Sequence, residues 1–160
     1  MADRRKVLFV CGRNAARSQM AEGFLRALYG DLYEAASAGL RPSVVSSIAI
    51  RVMGEAGIDI SSHRSKSLDE FSGEHLDLVV TLCDDASCVR DALLPDAGRY
   101  LHRVFPDPAA FAVSEEEVLA AHRDVRDRIG EWIREEFGPG RTVRGSGRTP
   151  LPPPPDLQKT

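Results

Sequence analysis

The sequence predicts an α/β fold: an open, mainly parallel four-stranded sheet with helices on both faces. Three observations carry this expectation. Short β-rich apolar runs stand at "VLFV" (7–10) and "LDLVVTLC" (76–83), amphipathic stretches at helical spacing alternate with them, and Gly, Pro and Ser punctuate the joints. A strand buried on both faces of a parallel sheet reads as a continuous apolar run, as the first of these does.

Taken in order, Val7 to Val10 form the first strand. A helix follows, with Met20, Phe24, Leu25 and Leu28 on one face, Ser18 placed to cap its start and Gly30 to stop it. "YEAASAG" (33–39) reads as a second strand. The next helix is expected from Ser43, after Pro42, with Val45, Ile48, Val52, Met53 and Ala56 at helical spacing before Gly57. Residues 76–83 and "RYLHRVF" (99–105) supply the third and fourth strands, with a short helix between them.

From Ser114, "SEEEVLAAHRDVRDRIGEWIREEF" has a capping box, Ser114 with Glu117, and a stripe of Val118, Leu119, Val125, Ile129, Trp132 and Ile133. It should be the closing helix, ended by "GPG" (138–140). Residues 1–140 thus form a single α/β domain, without repeats. Residues 141–160 are rich in Pro, Gly and charge and lack apolar residues to pack, so a disordered tail is expected.

Composition limits what such a domain can do. A length of 160 residues suits one domain, and the apolar and charged fractions, 42% and 28%, are ordinary for a globular protein. The net charge of −3 offers no basic footprint for nucleic acid. The N-terminal apolar run is too short for a signal-peptide core or a membrane span, which predicts a cytoplasmic protein with no membrane partner. Three cysteines, an odd number, point to thiol chemistry or simple burial rather than a disulfide framework.

Cys11 ends the first strand and opens "CGRNAARS" (11–18). A loop joining a buried strand to a helix start turns backbone N–H groups toward one point, here those of Gly12, Arg13, Asn14, Ala15, Ala16, Arg17 and Ser18, and the helix dipole adds positive potential. An anion belongs there. The same field favours the Cys11 thiolate, a nucleophile at neutral pH. Arg17 can clamp two oxygens of a tetrahedral oxyanion, Asn14 and Ser18 can hold the loop, and Ser18 can also hydrogen-bond the thiolate. Arg13 adds a second charge. The competing reading makes Cys11 a small buried hydrophobe.

"VLFVCGRNAARSQMAEGF" resembles the active-site segment of the thioredoxin-linked arsenate reductases, which share the low-molecular-weight protein tyrosine phosphatase fold. "SAGLRP" (37–42), "AIRVMGEAGIDISSHRSKSLDEF" (49–71), "DLVVTLCDDASC" (77–88) and "FPDPAAF" with the helix after it follow the same pattern in order, over roughly residues 5–137. The resemblance implies a substrate, arsenate, with phosphate or sulfate competing, and no metal or organic cofactor. It implies Cys11 as nucleophile, Arg17 as oxyanion clamp and Asp107 as general acid. It further implies that Cys83 attacks the Cys11–arsenic adduct, that Cys88 then attacks Cys83, and that thioredoxin resets the chain. Burial remains the alternative for Cys83 and Cys88, as does turn chemistry for the Asp-Pro at 107–108. Zinc lacks a second Cys or His pair at ligand spacing, and the scattered His63, His75, His102 and His122 receive no role.

Departures from the family pattern matter. Ala15 and Ala16 stand where many members carry Ser and a further Cys; Cys83 and Cys88 are separated by four residues, and Val89 replaces a frequent proline. Some relatives bind potassium through an asparagine, a glutamate, a serine and an aspartate. Asn14, Glu22 and Ser37 match the first three, but Lys66 stands in the aspartate's place and predicts no potassium requirement. A small thiol in place of thioredoxin, a phosphotyrosine phosphatase and a non-catalytic oxyanion-binding module are the competing readings. Against the phosphatase, Ala109 and Ala110 occupy the place where such enzymes carry an aromatic residue lining the substrate cleft.

Overall fold

The computed structural model of the chain describes residues 4–83, 94–110 and 113–139. Four parallel strands, β1 (Arg5–Cys11), β2 (Tyr33–Gly39), β3 (His75–Thr81) and β4 (Asp96–His102), form one sheet in the order β2-β1-β3-β4. Among the described residues three helices, α1 (Arg17–Tyr29), α2 (Ser47–Glu55) and α3 (Glu115–Phe137), join a 3-10 turn at Leu68–Phe71. The open parallel α/β sheet is the fold class that the alternating runs predict.

Val7 to Cys11 are all buried because both faces of β1 are covered. Val7, Phe9 and Cys11 share a cluster with Met20 and Phe24 of α1, Val52 and Met53 of α2, and Ile129, Trp132 and Ile133 of α3. Leu8 and Val10 pack with Ala38, Leu68, Leu76 and Val79. The Phe9 ring meets Trp132 and Phe137 edge-on, with centroids 6.2 and 6.1 Å apart, the geometry aromatic quadrupoles favour. Among the described residues no helix is long and apolar enough to cross a membrane.

Three boundaries differ from expectation. Helix α1 begins at Arg17 with Ala16 at the N-cap position and no side-chain cap, because the Ser18 hydroxyl turns instead to Cys11 and Asn14. Helix α2 starts at Ser47, capped by Ser46, not at Ser43. Residues 41–46 are drawn out of it by backbone bonds from Arg41, Ser43 and Ser46 to the carbonyls of Gly12, Arg13 and Ala15. Strand β4 lies three residues earlier than "RYLHRVF" suggests: it is an edge strand largely open to solvent, so pairing with β3 and not burial sets its limits. Both bonds of the Ser114–Glu117 capping box are present. The short helix expected before β4, Cys88 and the 141–160 tail lie outside the described residues.

Candidate active site

Parallel strands end together. Cys11 pairs with Gly39 and Val10 with Thr81, and the Leu82 N–H donates to the Val10 carbonyl, so Cys11, Gly39 and Cys83 reach the same carboxyl edge of the sheet. Open α/β sheets bind ligands at this edge.

The loop after Cys11 is shaped by what holds its carbonyls. Those of Gly12, Arg13 and Ala15 accept from the 41–46 segment at 2.8, 3.3 and 2.9 Å, and each following N–H must then point the opposite way. Among the described residues the N–H groups of residues 12–16 donate no hydrogen bond. With the uncapped first turn of α1, which contains no acidic residue, they form a cradle of unspent donors suited to an anion. Gly39 permits the close approach: a Cβ there would stand 2.8 Å from Asn14 N and Gly12 O.

Asn14 is the one non-glycine residue at positive φ, 56°, among those described. Its Oδ1 accepts from Gln19 Nε2 at 2.9 Å and from the Lys66 N–H at 2.8 Å, which directs Nδ2 to Ser18 Oγ at 2.8 Å. Since Ser18 Oγ accepts there, its own hydrogen is left for Cys11 Sγ, 2.9 Å away. Cys11 and Ser18 are both buried.

Gln19 extends this ordering inward. Its Oε1 faces His63 Nδ1 at 2.9 Å, and His63 Nε2 faces Arg26 Nη1 at 3.0 Å. A guanidinium only donates, so Nε2 accepts and the proton sits on Nδ1. Burial pushes the His63 pKa down, with Arg26 and Lys66 acting in the same direction against Glu22. Arg26 also grips Glu22 at 2.6 Å, and Glu22 accepts from Ser37 at 2.6 Å. The serine that shapes the thiol is thereby tied through one chain of hydrogen bonds, buried at Asn14 and Gln19 and open to solvent at Arg26, to Glu22.

Lys66 Nζ lies 3.9 Å from Glu22 Oε1 and donates to the Arg64 carbonyl at 3.2 Å. Its side chain is mostly enclosed, and desolvation pushes its pKa down while Glu22 opposes the shift. A bound cation does not fit this arrangement, because an ammonium group already faces the carboxylate that would hold it. No group of three His, Cys, Asp or Glu among the described residues is arranged to hold a metal ion.

A cleft of about 780 Å³ opens over the loop. Cys11, Arg17, Cys83 and Asp107 all line it, as do Gly12, Arg13, Ala15 and Ala16, whereas Asn14 and Ser18 lie beneath the loop. Arg17 Nη1 donates to the Phe105 carbonyl at 3.1 Å, tying α1 to the segment that bears Asp107. Asp107 makes the expected turn, its Oδ1 accepting from the Ala109 N–H, and faces the cleft as well. Cys83 is buried and disulfide-bonded, and Cys11 is a free thiol. Sequence reasoning passed over Gln19, His63 and His122. Gln19 stands only five residues from Asn14, whereas the fold alone brings His63 to Gln19 and His122 into the cleft wall.

The sequence model of low molecular weight phosphotyrosine protein phosphatases matches residues 6–132. An arsenate reductase of Halalkalibacterium halodurans is 39% identical over 132 residues, 82% of this chain and 94% of that protein. That of Bacillus subtilis is 39% identical over 129 residues, 81% and 92%. Among solved structures, an arsenate reductase in the phosphate binding state superimposes with a TM-score of 0.63 at 33% identity, covering 82% of this chain and 98% of that one. A low molecular weight protein tyrosine phosphatase from T. tengcongensis gives 0.66 at 27% identity, covering 88% and 98%. With its cysteine loop at the carboxyl edge of a 2-1-3-4 parallel sheet, this chain belongs to the low molecular weight phosphotyrosine protein phosphatase family.

Proposed function

We propose that the chain is a cytoplasmic arsenate reductase, converting arsenate to arsenite with electrons from its own cysteines and then from thioredoxin. The observation that carries this reading is the presence of a second cysteine, Cys83, in the wall of the cleft that holds Cys11, Arg17 and Asp107. Hydrolysis of a phosphoester needs the last three and a water; reduction needs another thiol. Ala109, which lines the cleft, offers no flat surface to an aromatic ester.

The Cys11 thiolate, hydrogen-bonded by Ser18, attacks arsenic while the loop N–H groups of Gly12 to Ala16 and the Arg17 guanidinium hold the oxygens. One oxygen leaves as water, with a proton from Asp107, and a Cys11–arsenic adduct remains. Cys83 attacks Cys11 Sγ: the sulfur–sulfur bond forms, the sulfur–arsenic bond breaks, and its electron pair stays on arsenic, which leaves as arsenite. Cys88 then attacks Cys83 and frees Cys11, and thioredoxin reduces the resulting disulfide. A disulfide at Cys83 beside a free Cys11 is the thiol state this sequence of steps leaves behind.

The test is arsenite formation from arsenate by the purified protein with thioredoxin, thioredoxin reductase and NADPH, beside Cys83→Ala, Cys88→Ala and Cys11→Ser. Cys11→Ser should abolish arsenite formation and any phosphatase activity, Cys83→Ala should abolish reduction, and Cys88→Ala should stop after one turnover. Sustained turnover by Cys88→Ala would remove the relay. Release of phenolate from an aryl phosphate with no arsenite would make the chain a phosphatase, and oxyanion binding with neither product would make it a binding module.

A further inference from the structure

His122 is an unexplained group in the cleft wall. It sits on α3, 3% exposed, and its Nδ1 faces the Val118 carbonyl at 2.7 Å. A carbonyl only accepts, so Nδ1 carries a proton and Nε2 of the neutral ring is a lone-pair acceptor. Nε2 makes no hydrogen bond among the described residues. Buried polar atoms are seldom left without a partner, and one on a side chain that borders a cleft is placed to meet something that enters or changes there.

We propose that His122 is the base that takes the proton of the attacking thiol in this cleft, a reading that rests on the arsenate reduction put forward above. Among the described residues the other charged or titratable liners are Cys11, Arg13, Arg17, Arg41, Cys83 and Asp107. Arginines cannot accept a proton, and Asp107, a carboxylate once it has protonated the departing oxygen, keeps Oδ1 on the Ala109 N–H, whereas His122 Nε2 is engaged by none of the described residues. Imidazole is the remaining group suited to accept a proton near neutral pH. Cys83 S–H gives its proton to Nε2, and the resulting thiolate bonds to Cys11 Sγ. The sulfur–arsenic electron pair moves onto arsenic, so two thiols are oxidised to a disulfide as arsenic(V) becomes arsenic(III). The imidazolium returns the proton to an arsenite oxygen. In the disulfide-bonded state seen here Cys83 has no proton to give, in keeping with an Nε2 that stands unpartnered.

The experiment uses full-length, pre-reduced wild type, His122→Phe and His122→Gln. It follows arsenite release in a single turnover without added reductant, and phenolate release from an aryl phosphate, at pH 7 and pH 9. Loss of a general base predicts arsenite release at pH 7 slowed roughly a hundredfold relative to phenolate release in both variants. A free thiol ionises near pH 8.5, so at pH 9 the deficit should shrink to about threefold or less. Unchanged arsenite release at pH 7, or an equal loss of both products at both pH values, would overturn the role of His122 alone. A wild type that releases phenolate but no arsenite would overturn the reductase reading and this one with it.

Discussion

Ser18 Oγ lies 2.9 Å from Cys11 Sγ and accepts from Asn14 Nδ2 at 2.8 Å, so the serine's only hydrogen is directed at the sulfur. A hydroxyl given a direction by a second hydrogen bond stabilises a thiolate more than a freely rotating one. Ser18→Ala should slow alkylation of Cys11 by iodoacetamide at pH 7 about tenfold, because a hydrogen bond to a charged group contributes roughly 1.5–3 kcal/mol. Labelling at the wild-type rate would show that the loop N–H groups suffice for the thiolate.

Gly39 bears on catalysis without touching the cleft. A methyl group there meets three backbone atoms of the loop, Asn14 N, Gly12 O and Arg13 C, at 2.8–2.9 Å. Backbone cannot swing aside like the end of a side chain, so the loop must move. Gly39→Ala should destabilise the fold by about 1–3 kcal/mol and, through misplacement of the donors, lower the rate of Cys11 chemistry about a hundredfold. Denaturant unfolding and a single-turnover assay measure the two separately.

The ammonium of Lys66 lies 3.9 Å from Glu22 Oε1 and sets a positive charge of the chain's own against that carboxylate. Exchanging sodium for potassium should leave wild-type activity and melting temperature unchanged. Lys66→Asp, which adds a carboxylate beside Glu22, Ser37 and Asn14, should acquire a melting temperature higher in potassium than in sodium. A several-fold potassium activation of the wild type would contradict the assignment.

His63 predicts a pH dependence of stability. Its folded pKa is pushed below the usual 6.5, first by burial and then by Arg26 and Lys66. The unfolded chain therefore binds the proton more readily, and the contribution is whole above pH 6.5 and lost as pH falls below it. One proton sets a limit of about 1.4 kcal/mol per pH unit. Unfolding free energies should decline from pH 7 to pH 5, and His63→Gln should flatten that decline. Glu55, Asp59, Glu70 and Glu117, whose pKa values are lowered from 4.5 or 3.8 by their hydrogen bonds, act at lower pH.

Elements with local signals were legible in the sequence. The Ser114–Glu117 box lies within four residues, and both of its bonds are present. The run at 7–10 is buried on both faces, as its continuity implies. Signals that depend on partners far along the chain were not. Helix α2 starts four residues after Ser43 because loop carbonyls capture residues 41–46, and the limits of β4 follow its pairing with β3. Ser18 carried two readings, helix cap and thiol partner, and local propensity favours the cap as readily. Asn14, one turn before it and oriented by Gln19 and by the distant Lys66 N–H, settles it as the thiol partner.

The sequence by itself determined the alternation of strands and helices, the position of Cys11 at a strand end and Arg17 at a helix start, because these depend on periodicity and on neighbours a few residues away. Tertiary structure alone decided which distant groups meet them. Gln19 reaches Arg64 and His63, Arg17 reaches Phe105 across 88 positions, and Cys83 and His122 enter the same cleft. The physical reason is that a parallel sheet gathers its carboxyl ends from segments widely separated in the chain. Proximity there is set by strand order and register, which no local pattern of residues encodes.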